Sequence, residues 1–301
     1  MEAQAQEIDL NRDSILRMIL QVTPEGIESN LLLRRTLLQL PKFSQSQQDD
    51  SSIVFGEIER IASRIRASRE KATISPQTNQ RLSKQTSLKW KDVPENIAKV
   101  IHEDYHYLGF HRRNSTYKGL YSNEGEPDGT FPSSLVTVSP FDLYHLTPRL
   151  PAGVRPENVL VVSRIYSFDW APRNSTSFLL SSLTEWLRKN RPSVRMLMTY
   201  LNPNVGFNGA SLRASNWTLF LKEGPIRYAY LDGDYITLRA LIERYALNDL
   251  SDLVRRLNGR LTLSVQTLLP LEIYCYFIDH HLRNDSFRST VQEVKKMPAI
   301  A

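Results

Sequence analysis

Side chains able to handle protons and anions concentrate in two stretches of this chain. The first is His102-Glu103-Asp104-Tyr105-His106-Tyr107. An imidazole and a phenol side by side, His106 and Tyr107, could serve as general base and acid near neutral pH. The same stretch reads His102-Glu103-x-x-His106. At that spacing two histidines share a helix face and can hold zinc while the glutamate activates water, as in metallopeptidases. However, His111 falls one residue too early for the extended motif, and Asp104 stands where such a helix needs an apolar residue. A chance match on a solvated helix is the expectation, with His102 and His106 the first candidates if metal binds. The second stretch is Pro172-Arg173-Asn174-Ser175-Thr176. Here Asn174 or Ser175 can cap a helix start, and Arg173 offers a charged fork suited to phosphate.

The elements that must position these groups follow from periodicity. Asp92-Val93-Pro94 opens a helix whose apolar residues Ile97, Val100, Ile101, Tyr105 and Leu108 share a face, leaving His106 and Tyr107 on the polar side. Strands are predicted at Thr116–Tyr121, Ser134–Val138, Val159–Phe168 and Val194–Leu201. The helix between the last two buries Leu179, Leu183, Trp186 and Leu187 and stops before Pro192. A loop with Gly206 and Gly209 leads to a short helix near Ala210–Asn216, then to strands Trp217–Lys222 and Ile226–Leu231. Asp234 to Tyr245 reads as helix and Leu268–Ile278 as a buried segment.

Charge is unevenly spread. Residues 1–58 carry five basic and nine acidic side chains, whereas residues 59–91 carry nine basic and two acidic ones. Arg64, Arg66, Arg69, Lys71, Lys84, Lys89 and Lys91 thus form a basic segment suited to a polyanion such as nucleic acid. Ala72 to Ser87 is rich in Ser, Thr, Gln and Asn and reads as a flexible linker. One cysteine, Cys275, lies in an apolar run, which excludes a disulfide framework. The first residues lack the basic and apolar regions of a signal peptide, and no apolar run approaches ~18 residues. A cytoplasmic protein with no membrane span is expected. The divisions read as a helical N-terminal module over 1–71, a basic linker over 72–91, a core over 92–235 and a C-terminal helix and strand extension over 236–301 with a disordered tail.

Within the core, Ser163-Arg164, Pro172-Arg173-Asn174-Ser175, Thr199-Tyr200 and the run Gly209 to Trp217 resemble consecutive motifs of Mom-type proteins. His106-Tyr107-Leu108-Gly109 resembles their entry motif. The likeness runs from about Asp92 to Leu231, and implies an α/β (α+β) acyl-CoA N-acetyltransferase-like mixed sheet flanked by helices. It further implies modification of adenine in DNA, or of another amine, using acetyl-CoA or a related acyl-CoA. In that fold a strand splays from its neighbour and frees backbone N–H groups for the thioester, while the next helix turns its N-terminus to the pyrophosphate. The resemblance places Arg164, Tyr166, Ser167, Arg173, Asn174, Ser175 and Thr176 at the cofactor. It gathers His106, Tyr107, Tyr117, Tyr200, Asn202, Ser215 and Asn216 around a catalytic pocket. Two departures stand out. The usual glycine-rich cradle is absent, with Pro172 lacking an N–H, and Asn202 stands where relatives have a carboxylate, which a neutral amide cannot replace as a base. A non-catalytic nucleic-acid-binding or regulatory protein on the same fold is the alternative.

Overall fold

A computed structural model describes residues 12–21, 26–72, 74–76, 88–122, 131–245 and 250–279. Seven strands form one mixed sheet: β1 (Leu88–Asp92), β2 (Thr116–Ser122), β3 (Ser134–Pro140), β4 (Val159–Ser167), β5 (Met196–Leu201), β6 (Thr218–Lys222) and β10 (Glu272–Phe277). Their spatial order is β1-β2-β3-β4-β5-β10-β6, antiparallel except for the β4/β5 pair. The intervening numbers belong to a small second sheet, with β7 (Ala229–Leu231) between β8 (Asp234–Ile236) and β9 (Leu261–Leu263).

Strand alternation sends Val136, Val162, Leu197 and Leu201 to one face, where Leu179, Leu183 and Leu187 cover them from helix α5 (Ser175–Asn190). The opposite face carries Met196, Met198, Ile273 and Cys275 under Phe141 and Leu146. Beside them helix α4 (Glu95–Val100) lays Ile97 and Ala98 on Leu135 and Tyr117. Helices therefore flank both faces, as the sequence implies.

Three expectations change. β10, from the segment assigned to a C-terminal extension, lies between β5 and β6 at the heart of the sheet, with Cys275 only 1% exposed. Its unbroken apolar character suits a strand buried on both sides. Lys89 and Lys91, assigned to the linker, belong to strand β1. Residues 77–87, including Lys84, lie outside the described residues, as does the tail from 280. Asp234 starts a strand rather than a helix, because Asp232-Gly233 makes a turn at positive φ and returns the chain against β7.

The N-terminal helices pack on the core. Helix α1 (residues 12–21), α2 (Ser29–Gln39) and α3 (Ser51–Lys71) share one apolar cluster with Val205, Tyr228 and Tyr230 of the core. Leu32, Ile58, Ile65 and Tyr230 are each at most 1% exposed, and burying each is worth ~1.5–3 kcal/mol over leaving it in water. Tyr230 also donates its hydroxyl to the Leu38 carbonyl at 3.0 Å. Arg64 pairs with Asp234, and Arg69 with Glu28 at 2.6 Å, so these two guanidinium groups serve the fold. Arg66, Lys71, Lys89 and Lys91 remain exposed. Among the described residues no helix is long and apolar enough to cross a membrane.

Candidate active site

β4 and β5 pair only from Val159 to Val161 against Met196 to Met198. Beyond that point the β4/β5 ladder ends, and Thr199 bridges once to the Val162 carbonyl through its hydroxyl at 2.8 Å. A bulge coincides with the end of the ladder. The β3/β4 register passes from Thr137↔Arg164 to Val138↔Val162, leaving Ser163 as the extra residue. A bulge re-aims the peptide groups around it, and bulges are enriched beside active sites.

A cavity of about 500 Å³ opens beside it, within the usual range for ligand sites. One wall is Val162–Tyr166 and Ser167 of β4, Thr199–Leu201 of β5, and Thr176 of α5. The first turn of α5 is uncapped. Asn174 occupies the N-cap at φ 64° without a side-chain bond, and the Ser175 hydroxyl turns back to the Pro172 carbonyl at 2.6 Å. The amides of Thr176 and Ser177 therefore find no acceptor among the described residues. Such open N–H groups, reinforced by the helix dipole, attract anions.

The opposite wall comes from Tyr105, His106 and Tyr107, from Phe207 and Asn208, and from Glu28, Asn30, Leu31 and Arg34 of α2. Its geometry begins with a π turn at Ile101–Tyr105, closed by the His106 amide on the Ile101 carbonyl at 2.8 Å. Arg35 of α2 locks this turn, donating to the Glu103 carbonyl at 2.6 Å and to that of His106 at 3.0 Å. Burial and the nearby Arg69 lower the Arg35 pKa to about 10.

His106 and Tyr107 are consequently enclosed, contrary to their expected place on a polar helix face: the helix ends at Tyr105 and His106 is 4% exposed. The His106 ring accepts the Leu108 amide at Nδ1, 3.2 Å away, which leaves its proton on Nε2. Burial, then Arg164, His102, Arg35 and Arg34, hold its pKa well below the ordinary histidine value. A neutral imidazole of this tautomer is a hydrogen-bond donor and a weak base. Tyr107 lies 4.6 Å from the His106 ring and 5.2 Å from Phe207, centroid to centroid, and burial pushes its phenol up.

The other expected site residues separate into those at the cavity and those elsewhere. Arg164, Tyr166, Ser167, Thr176 and Tyr200 line it, with the Ser167 and Thr176 hydroxyls 3.3 Å apart. The Tyr200 hydroxyl is nevertheless turned to Glu223 at 2.8 Å, its ring packed with the Phe220 face of the sheet. Arg173 and Asn174 are exposed beside the α5 terminus. Asn202 donates to the Tyr228 hydroxyl at 2.6 Å and accepts from both the backbone and side chain of Asn204, at 3.1 and 3.0 Å. It caps a turn outside the cavity. Ser215 bonds back to the Ser211 carbonyl, and Asn216, exposed at φ 61°, closes the short helix α6 (Ala210–Ala214).

Tyr117 belongs to a different cluster. Its hydroxyl donates to the Arg112 carbonyl at 2.7 Å, with His111 Nε2 at 3.4 Å, and burial raises its pKa to about 12. His102 lies beside it, fully buried. Its Nδ1 accepts the Arg112 amide at 3.3 Å and its Nε2 meets the Thr137 hydroxyl at 2.9 Å. Burial, then Arg164 and His111, press its pKa to about 2. Both ring nitrogens of His102 are thus engaged inside the fold, with His111 Nδ1 also 3.2 Å from its Nδ1. Sequence reasoning missed Arg34, Arg35 and Phe207; only the helical periodicity of residues 29–39 hinted at a packed element there.

A model of the Mom protein family matches residues 87–294. No curated protein matches the chain. Similar solved structures include Arabidopsis thaliana NAA60 in complex with acetyl-CoA, at 11% identity over 64% of this chain and 99% of that one, TM-score 0.39. An N-acetyltransferase from Staphylococcus aureus Mu50 is 9% identical over 64% and 98%, TM-score 0.34. Spermidine/spermine N-acetyltransferase SpeG from Vibrio cholerae is 7% identical over 67% and 99%, TM-score 0.35.

Proposed function

Because the chain belongs to the Mom protein family, we propose that it transfers an acyl group from an acyl-CoA-type donor to an amine. The acceptor implied by the resemblance is the exocyclic amine of adenine in DNA. The observation that supports this reading best is the unzipped β4/β5 edge opening beside an uncapped helix N-terminus on one cavity. The chain's own groups fit such a donor. The edge of β4 beyond the end of its ladder with β5 suits a pantetheine arm, and the Thr176 and Ser177 amides, with exposed Arg173 nearby, suit its phosphates. When bound, the donor supplies an activated acyl carbon on a thioester.

The protein's part is positioning and hydrogen bonding. Main-chain N–H groups around the Ser163 bulge polarise the acyl carbonyl in this reading. The amine nitrogen bonds the acyl carbon as the carbon–sulfur bond breaks, and the departing coenzyme A thiolate takes the proton the amine loses. His106, held neutral with its proton on Nε2, donates a hydrogen bond to a ring nitrogen of the acceptor in place of the general-base role expected from its residue type. Tyr107 and Phe207 supply flat apolar faces for a planar acceptor. Arg66, Lys71, Lys89 and Lys91 offer exposed charge to a polyanion.

Incubation with acetyl-CoA and adenine-containing DNA, followed by nucleoside mass spectrometry, tests the proposal. A new adenine adduct that disappears in His106→Ala is expected. Absence of any adduct, together with no heat of binding for acetyl-CoA in calorimetry, overturns it.

A further inference from the structure

The family match begins at residue 87, yet Glu28, Asn30, Leu31 and Arg34 of α2 form part of the cavity wall. Arg34 is the singular group among them. Its guanidinium stacks over the Phe207 ring, 4.2 Å from the centroid. Unlike Arg69, which takes Glu28, and Arg35, which takes two carbonyls, Arg34 makes no ion pair and no hydrogen bond among the described residues. It is partly buried, and burial, reinforced by Arg12, lowers its pKa.

A cation removed from water without an anion is unfavourable. The ring face returns only ~0.5–2 kcal/mol of that cost. Stacking also leaves the guanidinium N–H groups, which lie in its plane, available at the cavity. Arg12 and Arg164 add positive charge nearby, whereas Glu28 is neutralised by Arg69 and the remaining cavity acid, Asp169, is exposed.

We propose that Arg34 is the acceptor-phosphate contact of this site: a fork, contributed from outside the family-matched segment, that takes the phosphate attached to the nucleoside being modified. This rests on the acyl-transfer reading above. Arg34 would discriminate nucleotides from nucleosides and leave the donor untouched, because the free amides of α5 lie on the opposite wall. A bidentate guanidinium–phosphate contact is worth ~1.5–3 kcal/mol, so an affinity ratio of about ten to a hundred is expected between the two ligands.

The test is calorimetry on the full chain with three probes: dAMP, deoxyadenosine and coenzyme A. For the native protein, dAMP should bind at least tenfold more tightly than deoxyadenosine. Arg34→Gln should erase that preference while coenzyme A affinity stays within about twofold, and Arg34→Lys, which keeps the charge but not the fork, should retain part of it. Unchanged coenzyme A binding in Arg34→Gln also reports that the variant is folded. Loss of coenzyme A affinity instead would assign Arg34 to the donor and overturn the proposal. An unchanged dAMP preference in Arg34→Gln would overturn it too, while the acyl-transfer reading survives. Native protein that binds coenzyme A but neither nucleoside nor nucleotide removes the nucleobase acceptor, and Arg34's role with it.

Discussion

The two walls of the cavity are built in different ways. The sheet wall presents backbone: the edge of β4 beyond its ladder with β5, a bulge at Ser163 and the open amides of α5. The helical wall presents side chains: Arg34 on Phe207, the tilted His106–Tyr107 ring pair, and Arg35 clasping the π turn. Main-chain groups held by a seven-stranded sheet are indifferent to side-chain identity, whereas the other wall depends on each residue in it. Substitutions should therefore damage the helical wall far more than the sheet wall.

The largest effect is expected at Arg35. Truncation in Arg35→Ala leaves the Glu103 and His106 carbonyls without their donor in a buried setting and removes a cation between Asp104 and Glu28. A loss of roughly 3 kcal/mol of unfolding free energy is expected in urea titration. Arg35→Lys, with one ammonium in place of the fork, should lose roughly half as much. A change below about 1 kcal/mol in Arg35→Ala would show that the π turn stands without α2.

Acid is the next probe. His102 and His106 are neutral when folded, with pKa values pushed down, and titrate near 6.5 when unfolded. Below that value the unfolded chain binds protons that the native state refuses, so stability falls as pH falls. The loss begins near 6.5 and continues down to about 2 for His102. Between pH 7 and 5 each histidine should remove up to about 2 kcal/mol. His102→Gln should flatten that dependence by its share; an unchanged slope would mean that His102 titrates in the folded protein as it does in the unfolded chain.

How much of this was legible differs between the walls. The sheet wall announces itself, because β4 is a β-prone run and Pro172-Arg173-Asn174-Ser175 marks the following helix start. Asn202, Ser215 and Asn216, which the motif resemblance gathers around the pocket, lie instead in turns outside its lining. Types and spacing say nothing about where a turn points a side chain. His106 and Tyr107 were legible as residues but not as buried groups, since the helix ends one residue before them and a distant element, α2, covers them. Arg34 and Arg35 carry no signal at all: two arginines on an amphipathic helix read as solvated until Val205 and Tyr230 fix where that helix docks.

A smaller change tests the motif that the family resemblance weighs most. Asn202→Asp restores a carboxylate, but at a buried capping position that donates to Tyr228. Burial of a new charge should cost about 1–2 kcal/mol of stability. Acyl transfer should change by no more than about threefold, because its side chain bonds Tyr228 and Asn204, which do not line the cavity. A tenfold gain in turnover would instead bring position 202 into the chemistry.

The smallest expected effect bears most directly on the sheet wall. Asn174 sits at φ 64°, exposed, at the first turn of α5, and its side chain caps nothing. Glycine adopts that conformation without strain, at the cost of a more flexible unfolded chain, so Asn174→Gly should shift stability by only a few tenths of a kcal/mol. If the anion is held by the Thr176 and Ser177 amides, removing this amide side chain leaves the donors and their spacing intact. Acetyl-CoA affinity measured by calorimetry should then stay within about twofold. A tenfold weakening would show that Asn174 itself reaches the donor, and the sheet wall would then depend on side chains as the helical wall does.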